Sequence, residues 1–456
     1  MSPTPTPTPT ARPLWRIYLM LLLPMVVSNL LQGMSGTLNG IFIGQLLGTH
    51  ALAAVSGMFP IVFFFVSLII GLGTGASVLV GQAWGAEQPE TVRRISGAAL
   101  TLGACIGLGA AALGLWFARP AMLALGTPAD VLDDATRYAQ WMMLMMPLLL
   151  VFIVFTQLLR GVGDTVTPML ALGLSTLTGL ILTPALISGW AGLPKLGLLS
   201  AALASIVSTA AALVYLGMRL RRLGHVMAPD SQMWRALRLD RAILAKVLRI
   251  GLPTGVQMVV ISISELVVLR LVNAHGSSAT AAYGAVTQVV NYIQFPAISI
   301  AITASILAAQ AIGANALQRL PAILKTGLLM NVLLTGALIL LGYAGSSLLL
   351  GLFLTDPAVL DQAQHLLHLM LWSLLVFGFQ AVIGGIMRAS GVVVVPMLIT
   401  IACILCVQLG VAYSLNLRMG LSGIWLGFPV AYLVMLALQT AYYRGVWRHR
   451  EIRRLI

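Results

Sequence analysis

The chain has 456 residues, of which 59% are hydrophobic and only 8% charged. Soluble domains are about 25% charged, so a chain this long with a third of that cannot present a wettable surface, and soluble enzymes and nucleic-acid-binding folds are excluded. The net charge of +14 needs no nucleic acid either, because Lys and Arg gather on the cytoplasmic loops of membrane proteins.

The chain opens on MSPTPTPTPTARP, a Pro-Thr repeat that favours solvated polyproline II and buries nothing. No basic stretch precedes the apolar run that follows, and no short apolar core ends in a cleavage site, so that run reads as a retained span. Hydropathy predicts twelve helices, near 15–43, 51–80, 92–118, 137–160, 166–189, 196–219, 243–272, 280–312, 321–350, 363–387, 393–416 and 420–443. None shows the alternation of β-barrel strands, so the expected fold is an all-α integral membrane protein. Cys105, Cys403 and Cys406 fall inside apolar runs. The CxxC of the last two lacks the exposed pair or further ligands of a redox or metal site.

Placing both termini in the cytoplasm puts 21 of the 26 Lys and Arg inside, eight of them in the central loop from Arg219 to Arg249 and five in the tail from Arg444 to Arg454. Only Arg119, Arg137, Lys195, Arg270 and Arg418 remain outside. That bias predicts the topology and an inner or plasma membrane location, and it lets linker and tail rest on anionic lipid headgroups. The expected divisions are a Pro/Thr tail over 1–14, an N-lobe over 15–222, a basic linker over 223–242, a C-lobe over 243–443 and a basic tail over 444–456.

The two lobes repeat one another. A shift of 228 brings Gly48 onto Gly276, Ala53-Ala54 onto Ala281-Ala282, Gln82 onto Gln310, Gly85 onto Gly313, Val131-Leu132-Asp133 onto Val359-Leu360-Asp361, Arg160 onto Arg388 and Pro168 onto Pro396. Pro24 and Pro253 match one residue off. Six spans per half is even, so the repeats are parallel, related by an axis along the membrane normal, with a binding site expected between them near the midplane.

The stretches PMVVSNLLQGMSGTLNGIFIGQLLGTHALAAVSGMFPI (24–61), GTGASVLVGQAWGA (73–86), QLLRGVGDTVTPML (157–170), GLPTGVQ (251–257), AAYGAV (281–286), AAQAIGA (308–314) and MRASG…P (387–396), in this order, resemble the multidrug and toxic compound extrusion (MATE) family. The resemblance covers nearly the whole chain. It implies two six-helix lobes, alternating access, and export of organic cations or other amphipathic compounds against H⁺ or Na⁺. Two positions depart from the family pattern. Where members commonly carry Asp in the first helix this chain has Asn39, and where many carry Asp before the Pro of the fifth helix it has Thr183. The N-lobe carboxylate site is therefore absent.

Of twelve acidic residues, Glu265 alone lies deep in a span. A carboxylate there normally faces a wet interior and often functions, and the family's other coupling arrangement uses a Glu in this same seventh helix, about one turn earlier. Glu265, with Ser262 and Ser264, is the candidate ion-coupling group; the alternative is a structural Glu paired with Arg270 or capped by neighbouring hydroxyls. Sodium needs several oxygen ligands, so the proton is the simpler ion, and no other cofactor or metal is expected. The candidate substrate cleft takes Ser28, Gln32, Ser35 and Asn39 from one face of the first helix, Gln257 from the seventh, Tyr283, Thr287, Gln288 and Asn291 from the eighth, and Gln380 from the tenth; the alternative is interhelical hydrogen bonding. Arg160 and Arg388 are expected to snorkel to headgroups or cap loops. No catalytic residue and no phosphate-binding loop is visible. The expected function is a secondary antiporter acting as a monomer on a small cationic or amphipathic substrate. A lipid-linked oligosaccharide flippase is the alternative within the same superfamily, and a non-transporting receptor the alternative outside it.

Overall fold

The computed structural model describes residues 13–124, 132–192 and 197–456, and within them all side chains but those of 49–54, 56, 57, 59, 60 and 191. The Pro-Thr repeat with Arg12, Asp130, Val131 and Lys195 lies outside the described residues.

Twelve helices long and apolar enough to cross a membrane are present among the described residues: α1 Leu14–Gly48, α2 Ile61–Gly85, α3 Pro89–Ala124, α4 Leu132–Val162, α5 Val166–Ser188, α6 Leu199–Arg222, α7 Arg241–Asn273, α8 Ser277–Gly313, α9 Leu317–Ala344, α10 Pro357–Ala389, α11 Val394–Met419 and α12 Leu421–His449. In hydrocarbon each backbone N–H and C=O must be satisfied within its own segment, which is why every apolar run becomes a helix. The fold is an all-α membrane protein of two parallel six-helix repeats. A short helix, Ser231–Ala236, capped by Asp230, interrupts the connection between them.

Several helices run past the apolar segments that announce them. α10 begins at Pro357 rather than near 363, because the Asp356 carboxylate accepts the Ala358 N–H at 2.9 Å and Pro357 is pre-set for a first helical turn. The expected ninth helix to 350 is divided, α9 stopping at Ala344 before a short helix over Ser346–Gly351. The stretch expected as a helix over 51–80 is helical throughout and continues to Gly85, its apolar described part being α2.

The repeat is written into the backbone. Gly48 and Gly276 adopt the same conformation, φ 85 and ψ −178 against φ 96 and ψ 176, where a side chain is strained. They stand at equivalent turns, ending α1 in one half and preceding α8 in the other.

The halves meet closely at one end. On α2, Gly71 and Gly75 lie against Gly255 and Gly251 of α7; a Cβ on Gly75 would stand 2.7 Å from the Gly251 nitrogen. Gly85 and Gly313 abut the carbonyls of Gln310 and Gln82 respectively. Asn29 of α1 donates to Ser299 of α8 at 2.9 Å. Further out, Gly36 and Gly40 on α1 and Gly284 on α8 have nothing within 4 Å of a Cβ position among the described residues. The halves are thus joined at the end that carries most of the Lys and Arg, the basic end. Small residues let helices approach where lipid supplies no hydrophobic drive.

Candidate functional site

The second half encloses a cavity of about 290 Å³ lined from five helices. α7 contributes Gln257, Ser264 and Glu265. Tyr283, Thr287 and Asn291 of α8, at four-residue steps on one helical face, join Gln294 there. α10 adds Phe377 and Gln380. α11 adds Thr400 and Gln408, and α12 adds Trp425, Phe428, Tyr432 and Met435. The α11 contribution depends on a π-helical stretch, Cys403–Gln408, that interrupts the regular helix; such wide turns re-aim side chains and recur at functional sites. From it the Gln408 amide donates to the Ser264 hydroxyl at 3.4 Å.

Among the described residues Glu265 is the one carboxylate facing the cavity, and no Lys or Arg faces it. It makes no ion pair among the described residues, so the structural alternative of a Glu265–Arg270 bridge is not realised. The opposite wall is aromatic. Tyr283 and Trp425 lie with ring centroids 5.3 Å apart, Trp425 and Phe428 6.1 Å, and Phe377 and Tyr432 5.3 Å. The Trp425 side chain is 2% exposed and its indole N–H has no acceptor among the described residues. One carboxylate, several amides and hydroxyls and a set of π faces form a chamber suited to a cation or a flat amphipathic molecule.

The expected residues divide. Glu265, Ser264, Gln257, Tyr283, Thr287, Asn291 and Gln380 converge on this cavity; Ser262, Gln288, Ser28, Gln32, Ser35 and Asn39 do not line it. Ser262 turns back to the Met258 carbonyl at 3.1 Å. Ser28 is 1% exposed and bonded to the Pro24 carbonyl at 2.7 Å, so the α1 stripe is not a single wet face. Asn39 instead meets Thr183, whose hydroxyl donates to its Oδ1 at 3.4 Å: the two positions that depart from the family pattern are in contact, both neutral. Residues that sequence reasoning passed over are Trp425, Phe428, Tyr432 and Met435, although their 3-4-3 spacing is a helical face.

Arg160 and Arg388 depart from their expected place at the headgroups. Arg160 donates to Gln157 at 3.1 Å, Gln157 donates to Thr74 at 3.3 Å, and Arg388 lines a small cavity with Gln157, Thr74 and Ser77 of the other half. The helix ends carry both side chains into the seam between halves. Cys403 and Cys406 are free thiols, one buried and one exposed.

The MatE family profile matches the chain twice, over residues 24–185 and 253–414, two ranges offset by 229 residues and so in step with the internal repeat. The probable multidrug resistance protein YoeA of Bacillus subtilis (strain 168) is 39% identical over 457 residues, covering 100% of this chain and 99% of that protein. The multidrug export protein MepA of Staphylococcus aureus (strain NCTC 8325 / PS 47) is 24% identical over 83% of this chain and 82% of its own. Among solved structures, a mutant of the Vibrio cholerae MATE transporter VcmN superposes with a TM-score of 0.87 at 19% identity, covering 96% of this chain and 98% of that one.

Proposed function

This chain belongs to the MatE family, and from that premise we propose that it is a secondary active antiporter exporting organic cations or amphipathic drugs in exchange for protons. The observation that carries the reading is the position of Glu265: a lone carboxylate facing a chamber of amides and aromatic rings, with no ion-pair partner and no fixed cation there among the described residues. A cation and a proton compete for one such group. Loading it from outside with a proton displaces the drug, and loading it from inside with the drug displaces the proton.

The proton is the simpler ion, since sodium needs several oxygen ligands gathered round it whereas one carboxylate takes a proton by itself. In a one-for-one exchange with a monovalent cation the membrane potential cancels and the pH difference supplies the drive, about 1.4 kcal/mol and a tenfold substrate gradient for each pH unit. The same absence of cations weighs against a flippase for lipid-linked oligosaccharides, whose phosphates call for Lys or Arg.

The basic end is the cytoplasmic end on this reading, with both termini there and the chain in the inner or plasma membrane. Residues 15–222 and 243–443 are the lobes that rock about the seam, 223–242 and 444–456 the basic linker and tail, and one chain is the working unit. The test is uptake of a fluorescent cation into inverted vesicles under separate H⁺ and Na⁺ gradients. Proton-driven uptake in the parent, lost in Glu265→Gln, is the expected result; undiminished uptake in the variant, or uptake driven by Na⁺ alone, overturns it.

A further inference from the structure

At the basic end a second cavity, of about 760 Å³, lies between the start of α7, the turn from α10 into α11, and the segment that follows α12. Its charge is one-sided. Lys246, Arg249, Arg450, Arg453 and Arg454 face it, against the single acid Glu451, which Arg453 holds at 2.7 Å. The other acids resolved nearby are engaged elsewhere: Asp240 with Arg94 at 2.7 Å, and Asp230 at the cap of the short linker helix beside Arg93. Lys246, Arg249, Arg450 and Arg454 have no ion-pair partner among the described residues.

The cavity exists because the end of α12, from Trp447, and the segment after it fold back on the protein. Trp447, 3% exposed, stacks on Tyr443 with centroids 5.0 Å apart and donates its indole N–H to the Ser390 hydroxyl at 2.9 Å. Beyond it the Leu455 N–H donates to the Gln82 side-chain oxygen at 2.8 Å. Gln82 belongs to the first half, so this segment of the second half is a strap across the seam. Gly391, at φ 81, leaves the room in which the Leu455 side chain sits; a Cβ there would stand 3.0 Å from it.

We propose that this cavity binds a phosphate group, and that its occupant is the headgroup of an anionic phospholipid. Four unpaired cations held round one space repel one another until an anion enters, and a phosphate presents the acceptor oxygens that guanidinium groups bind most readily. The lipid origin follows from the walls. Ile250 and the run Val392–Val395 offer an apolar flank at the ends of three spans, at the level where headgroups meet acyl chains. Since the strap that supplies Arg450 and Arg454 also grips Gln82, an occupied site favours the arrangement in which the halves are closed at this end. The exporter can bind such a lipid whichever ion drives it.

The experiment reads stability rather than transport, so its failure is separate from failure of the exporter assignment. The full chain is placed in nanodiscs of phosphatidylcholine alone or with phosphatidylglycerol, and its unfolding midpoint is measured. Phosphatidylglycerol is expected to raise the midpoint by roughly 2–4 °C. The triple variant Arg249→Gln, Arg450→Gln, Arg454→Gln loses most of that rise, whereas Arg222→Gln, Arg235→Gln, Arg238→Gln, which removes equal charge from the exposed end of α6 and the linker, keeps it. No rise in the parent chain, or equal loss in both triples, overturns the site. Millimolar inorganic phosphate in phosphatidylcholine nanodiscs separates the sources: no rise supports a headgroup, and a rise matching that with phosphatidylglycerol overturns the lipid assignment in favour of a soluble phosphate. Leu455→Pro keeps every cation but deletes the N–H that reaches Gln82; loss of the rise there ties the site to the strap, and its retention overturns that link.

Discussion

Gln82 and Gln310, equivalent residues of the two halves, make the same bond in opposite directions across the seam. The Gln82 amide donates to the Ala389 carbonyl at 2.8 Å and the Gln310 amide to the Gly161 carbonyl at 3.0 Å, and Ala389 is itself the equivalent of Gly161 in the repeat. Each half thus caps the end of the other half's long helix. The symmetry is broken once. Gln82 is fully buried and also accepts the Leu455 N–H, whereas Gln310 is partly exposed.

Replacing the two glutamines should therefore give unequal results. Gln82→Ala leaves the Ala389 carbonyl and the Leu455 N–H without partners at a buried site, a loss of about 1–3 kcal/mol for each group stranded; Gln310→Ala strands one carbonyl with water within reach. Thermal unfolding should place Gln82→Ala well below Gln310→Ala. Hydrogen exchange should rise at 389–392 in the first variant and at 161–164 in the second. Equal midpoints for the two would show that the strap adds nothing to the closure.

Glycines along the seam make a second contrast. A Cβ at Gly85 or Gly313 would enter the backbone of the facing helix, while Gly36 and Gly40 have open space. Gly85→Ala and Gly313→Ala are expected to prevent closure at the basic end and abolish transport with the protein still inserted. Gly36→Ala and Gly40→Ala should transport as the parent does, because helix interiors tolerate Ala well. Uptake assays on matched membrane amounts decide between them, and a transport-competent Gly85→Ala would mean that the seam is looser than its contacts indicate.

These contrasts also mark what the chain reveals in one dimension. The shift of 228 was visible because Gly48 and Gly276, and Gln82 and Gln310, keep side chains that a backbone conformation or a crossing requires. Glu265 stood out because a charge in an apolar run is costly. The α1 stripe misled: a serine in a helix can satisfy its own hydroxyl one turn back, as Ser28 does on Pro24, so regular spacing of polar residues does not establish a wet face. Arg160 and Arg388 misled for the opposite reason. Their side chains are long enough to reach either headgroups or the seam, and only the facing half decides. The path of residues 446–456 to Gln82 depends on contacts hundreds of residues apart and leaves no local pattern.

The aromatic wall of the Glu265 cavity offers a test of binding free of the coupling question. Trp425→Phe retains a ring to stack against Tyr283 but deletes an indole N–H that has no acceptor among the described residues. Stability should change little or improve, since an unpartnered buried donor is costly. Transport of substrates that carry an acceptor near the ring should show a several-fold higher KM at unchanged maximal rate, and substrates without one should be unaffected. A uniform fall in maximal rate would place Trp425 in the packing of α12 alone. Trp425→Ala is the poorer probe, because losing the ring costs about 3–5 kcal/mol.

The connection after α6 should respond to acid independently of transport. Burial holds the His225 imidazole below the ordinary histidine range, the nearby Asp164 offsetting part of the effect, and its Nδ1 accepts the Met227 N–H at 3.1 Å, a bond the protonated ring cannot accept. The unfolded chain protonates near 6.5 while the folded one resists until lower pH. The contribution is therefore complete above the unfolded value and is lost as pH falls through the folded one. Protection factors at 226–228 and 230, which allow for the slower intrinsic exchange in acid, should drop as pH is lowered through about 6.5 and below. His225→Asn keeps an acceptor for the N–H two residues on without titrating, and should flatten that dependence; a variant whose protection falls as the parent's does would assign the acid sensitivity to another group.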